Sequence, residues 1–136
     1  MKADIEVQKQ ISTVLDNWLT HFQSGNLEEL MKLFSSDEDV TVIGASLDQK
    51  QIGYENIKSQ YRESLKQNEN IISIDYENLI VSAKESIAWA SADLKIKIAV
   101  DENNIALVLR LTAVFENRDN NWLMVQSHSS IPFNNV

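Results

Sequence analysis

From Ile5 to Phe22 apolar residues recur at spacings of three and four, at Val7, Ile11, Val14, Leu15, Trp18 and Phe22, which predicts one amphipathic helix. Gly25 stops that helix and Asn26 is placed to cap the next. Glu28 and Glu29 fall in the first turn of this second helix, near the positive end of its dipole. Leu27, Leu30, Met31 and Phe34 form its buried stripe. After SSDED the pattern becomes a continuous β-branched run, VTVIGA, which reads as a short strand, followed by the polar loop SLDQKQI and Gly53. Tyr54, Ile57, Tyr61 and Leu65 then share one face of a third helix. From Ile71 the helical period is gone, and IISIDYENLIVSA, SIAWASADLKIKIAV, NIALVLRLTAVFEN and WLMVQSHSSIP read as long strands. The turns between them, KE, DENN and RDNN, are short, and their Asn and Asp tolerate left-handed backbone. Helices followed by an antiparallel meander make an α+β chain in which helices cover one face of a sheet.

Strand alternation assigns faces. Ala92, Leu94, Ile96 and Ile98 lie on one side of their strand, toward the helices, and Asp93, Lys95 and Lys97 on the other. In the next strand Ala106, Val108, Arg110, Thr112 and Val114 oppose Leu107, Leu109, Leu111, Ala113 and Phe115. Both sets are largely apolar, more than a sheet with one solvated face needs. In the last strand regular alternation puts Trp122, Met124, Gln126, His128 and Ser130 on one face, and Leu123, Val125, Ser127 and Ser129 on the other. Ser127 and Ser129 thus point away from His128, and Ser130 is displaced from it by about 6.7 Å of strand rise, so SHSS is not a Ser–His nucleophile pair.

Composition narrows the partners. The 136 residues suffice for one domain with its own core, and residues 1–136 are read as one such unit. A formal charge of −8 and a pI near 4.7 set the field against phosphate backbones and anionic bilayers, so neither nucleic acid nor membrane is an expected partner. No cysteine is present, and the two histidines are not at metal-ligand spacing; no metal and no cofactor is expected. The N-terminal MKADIEVQKQISTVLDNW lacks a continuous apolar stretch, which suggests a cytoplasmic protein.

Several spaced stretches carry a family resemblance: WLTHFQSGNLEELMKLFSSDEDVTVIG, IGYENIKSQY, AWASADLKI, and above all RLTAVFENRDNNWLMVQSHSSIP. Together they resemble the NTF2-like superfamily, and within it the SnoaL-like branch, which is related to ketosteroid isomerase. The resemblance implies a cone, a strongly curved antiparallel sheet wrapped around three N-terminal helices, with a pocket at its wide end. It also implies an Arg-x-Thr pair, Arg110 and Thr112, on the concave wall, and a homodimer through the convex face. With that phase Leu107, Leu109 and Leu111 form the strip a second copy covers. The alternative phase puts these leucines under the helices and Arg110 in water.

The residues expected around the pocket are therefore Arg110, Thr112, Gln126, His128 and Tyr54. A guanidinium in an apolar cone requires a partner, either an anionic ligand group or an acid such as Asp37, Asp39 or Asp48. Ketosteroid isomerases use an Asp base with an oxyanion hole of Tyr and protonated Asp; helix one has no Tyr and the late strands offer no concave Asp, so that activity does not carry over. Three functions stay open. One is a binding domain for a small, partly apolar molecule; another is an isomerase, lyase or cyclase with His128 moving a proton and Arg110 stabilising an oxyanion; the third is a non-catalytic dimerisation module.

Overall fold

The computed structural model describes residues 1–133. Helix α1 spans Ile5–Ser24, capped by Asp4, whose carboxylate accepts from the Val7 N–H at 2.9 Å. It ends at Gly25, whose left-handed backbone (φ 72°) lets the Asn26 N–H turn back to the His21 carbonyl at 2.9 Å. Asn26 then caps the short α2, Leu27–Met31, through the Glu29 N–H. Strands β1 (Thr41–Ile43) and β2 (Lys50–Ile52) form a small hairpin, so the expected polar loop contains a strand. Helix α3 covers Tyr54–Leu65, and β3 (Ile71–Lys84), β4 (Ile87–Val100), β5 (Asn103–Arg118) and β6 (Asn121–Ser130) follow as the meander.

The six strands lie in the order β2-β1-β6-β5-β4-β3. All neighbours are antiparallel except β1 and β6, which run parallel. Turn residues Glu85, Asp101, Asp119 and Asn120 adopt positive φ, the conformation that tight hairpins demand. The helices pack on one face of this sheet. Ile11, Leu30, Met31, Ile57 and Phe115 are almost wholly buried there. Trp122 closes the contact from β6, its indole N–H donating to Gln10 Oε1 of α1 at 2.7 Å.

Register decides which side chains meet the helices. Leu94 pairs with Leu109, Ala92 with Leu111 and Ala90 with Ala113, and all six are buried. Leu107, Leu109 and Leu111 therefore face the cone, and the expected convex leucine strip does not exist. Arg110 and Thr112 are exposed on the outer face, where Arg110 stands opposite Asp93 and Thr112 opposite Ser91. That arrangement leaves the charge in water, where it needs no buried partner.

The last strand holds a second reversal. Phe115 pairs with Met124, but Val114 pairs with Gln126, so Val125 is an extra residue, a β-bulge. Trp122 and Met124 point inward before it; after it Ser127 and Ser129 point inward, while Gln126, His128 and Ser130 are exposed. Without the bulge, Gln126 and His128 would lie under the helices against Ala113 and Leu111, where no acid waits for them. The extra residue places hydroxyls there instead, which are cheaper to bury. Among the described residues no helix is long and apolar enough to cross a membrane.

Candidate functional site

The cone encloses a cavity of about 230 Å³ between α1, α3 and the concave sheet. Its helical wall comes from the three-and-four spacing of Leu15, Trp18 and Phe22 on α1. Trp18 stacks on Phe22 with ring centroids 5.5 Å apart, and Phe22 meets Tyr61 of α3 edge-on at 6.1 Å. The sheet contributes Leu94, Ile96, Leu109 and Leu111. Polar groups enter from three places: Gln49 and Gln51 of the β1–β2 hairpin, Gln60 and Ser64 of α3, and Ser127 and Ser129 behind the bulge.

Among the described residues, Tyr61 is the one ionisable side chain on this wall. Burial pushes its phenol up to about 12, against a smaller opposing pull from the Trp18 indole N–H, which donates to its oxygen at 3.1 Å. The group is therefore a neutral hydroxyl throughout the physiological range. The cavity can hold, orient and desolvate a ligand, but it presents no carboxylate, imidazole or ammonium to move a proton near neutrality.

None of the five expected residues lines this cavity. Thr112, Gln126 and His128 do come together, but on the convex face, in a shallow groove of about 400 Å³ with Ile80, Trp89 and Val114. Arg110 lies beyond that groove, and Tyr54, at the start of α3, packs against the core. Asp37 bonds Arg118 rather than Arg110: the Arg118 guanidinium forks onto the Asp37 carboxylate, reaches Glu116 through Nε, and donates to the buried Ser35 hydroxyl at 3.1 Å. Bonds from Arg118 foremost, and then from Ser35, hold the Asp37 carboxyl below the usual carboxylate range. They tie the segment before β1 to the β5–β6 hairpin. Among the described residues no group of His, Asp and Glu is arranged to hold a metal ion.

Six strands in this order, curled over three helices around an apolar cavity, define the NTF2-like class of fold. Solved structures of the class superimpose closely. An NTF2-like protein of unknown function from Pseudomonas putida matches with TM-score 0.83 at 14% identity, covering 96% of this chain and 90% of its own. An NTF2-like superfamily protein from Salmonella enterica gives 0.79 at 15% identity, covering 98% and 96%. A proposed calcium/calmodulin-dependent protein kinase II association domain from Xanthomonas campestris gives 0.77 at 18%, covering 96% and 94%. At such identities the likeness establishes the fold and carries no ligand with it. The chain belongs to the SnoaL-like domain family, whose model matches residues 11–134. No curated protein is similar enough to match it.

Proposed function

We propose that this protein binds a small, largely apolar molecule in its cone without acid–base chemistry by the residues around it. One observation carries the reading: a cavity of about 230 Å³ walled by aromatic and aliphatic side chains, whose one ionisable group among the described residues is a phenol shifted up to about 12. The size sits just under the roughly 300–1,000 Å³ of sites for drug-sized ligands, which favours a ligand of one or two rings. An isomerase, lyase or cyclase built on His128 and Arg110 has no support, because both side chains lie outside the cone.

Titration with 2-ethylnaphthalene tests the proposal. Binding is expected with a Kd that stays constant between about pH 5 and pH 9, because no wall group changes charge in that interval. The raised Tyr61 pKa means the phenol keeps its proton until about 12, so weakening is expected only at the alkaline extreme. Absence of binding, or a bell-shaped dependence centred near neutrality, would sink the proposal.

Self-association through the convex face is a second reading, favoured by a separate observation. Ile80 and Val108 are 65% and 46% exposed on that face, where Trp89 and Val114 extend the apolar surface. A sheet face of this kind suits an isologous contact with a second copy. The Xanthomonas campestris structure, described as an association domain, shares this fold. Sedimentation is expected to show a species of twice 15.5 kDa, returned to 15.5 kDa by Val108→Asp. A wild-type protein that sediments only as the smaller species at micromolar concentration removes this reading.

A further inference from the structure

The polar groups of the cone have an order of their own. Gln51 lies on β2 between Lys50 and Ile52, both exposed, so alternation turns its side chain inward. Gln60 lies on α3 one turn beyond the buried Ile57 and one turn before Ser64. Gln51 Nε2 donates to Gln60 Oε1 at 3.1 Å, which holds the two amides side by side at the cavity wall. Each primary amide brings two N–H donors and one carbonyl. Their mutual bond uses one donor and one acceptor, leaving three N–H groups and one carbonyl, with no other side-chain bond to either amide among the described residues.

Gln49 adds another donor. Its Oε1 accepts from the Ser46 N–H at 3.2 Å, and its amide N–H groups remain for the cavity. Gly44 makes room for this arrangement, since a Cβ there would stand 2.6 Å from Gln49 Oε1. Among the described residues no carboxylate lines the wall to accept from these donors, and no Lys, Arg or His lines it to balance an anion. A hydrocarbon would leave the N–H groups unpaired beneath it, and an anion would leave its charge uncompensated in an apolar chamber. A neutral oxygen with free lone pairs meets both conditions.

We infer that the ligand of the cone is an uncharged, mainly apolar molecule bearing a carbonyl oxygen, and that the Gln51–Gln60 amide pair receives that oxygen. The inference rests on the cone being a binding site, and its test separates the two.

The full chain is titrated calorimetrically with 2-acetylnaphthalene, 2-ethylnaphthalene and 2-naphthoate, three probes of similar shape, and the series is repeated with Gln51→Leu and Gln60→Leu. The ketone is expected to bind about five- to tenfold more tightly than the ethyl compound, the range of one neutral hydrogen bond. The carboxylate is expected to bind weaker than the ketone by on the order of 100-fold, through its desolvation. Each leucine variant should abolish the ketone's advantage over the ethyl compound measured on that same variant, and a cooperative urea transition shows that the variant is folded. A ketone no tighter than the ethyl compound, a carboxylate as tight as the ketone, or an advantage that survives both variants overturns the assignment and leaves the cone a binding site. Failure of all three probes to bind a cooperatively folding wild-type protein overturns the binding reading, and this inference with it.

Discussion

Phe115→Ala is expected to remove about 3–5 kcal/mol of folding stability, read as a lowered midpoint in urea at unchanged slope. Phe115 is fully buried and pairs with Met124 immediately before the bulge, so truncation opens a void at the point that sets the phase of the last strand. Against a total of roughly 5–15 kcal/mol for a domain, such a loss leaves a marginal protein. Val114→Ala, one residue away on the convex side, should cost under about 1.5 kcal/mol. Equal costs at the two positions would contradict the assignment of faces on β5.

The second large effect concerns binding. Leu111→Trp places an indole inside the cavity and is expected to weaken 2-ethylnaphthalene by at least ~100-fold, roughly 2.7 kcal/mol. The added volume should cost about 1–3 kcal/mol of stability, so the variant remains folded at room temperature. Arg110→Ala is its control. Arg110 points away from the cone, and its removal should leave the Kd unchanged and stability within about 0.5 kcal/mol. A weakened Kd for Arg110→Ala together with an unaffected Leu111→Trp would return the ligand to the convex side.

Much of the fold follows from local patterns. The spacing of Val7, Ile11, Leu15, Trp18 and Phe22 reads directly as α1, and Gly25 with Asn26 marks the junction with α2 in both sequence and structure. The order of elements and their membership in the SnoaL-like family agree with the expectation drawn from the sequence. The face of β5 was also legible, although the family resemblance pointed the other way. Across a hairpin with an even number of turn residues, Leu94 must pair with an odd-numbered residue of β5, so the leucines follow it inward and Arg110 follows Asp93 out. On this point parity within the chain outweighs what the family resemblance implies.

The six polar residues of the cone are a different matter. Gln49 and Gln51 of the hairpin and Gln60 and Ser64 of α3 are far in sequence from Ser127 and Ser129, and the parallel pairing of β1 with β6 brings the hairpin beside the two serines. Glutamine and serine are common surface residues with no spacing that marks a site. Sequence alone determined the three helices, the four long strands, their order, the amphipathic faces of the helices and the net charge of −8. Tertiary structure alone decided the phase of the last strand. A bulge at Val125 changes no residue type and leaves no periodic trace, because one extra β-branched residue fits either register. Yet it is this residue that sends His128 and Gln126 out to solvent and turns Ser127 and Ser129 into the cone, since burying an unpaired imidazole and amide beneath the helices costs more than breaking one rung of the ladder.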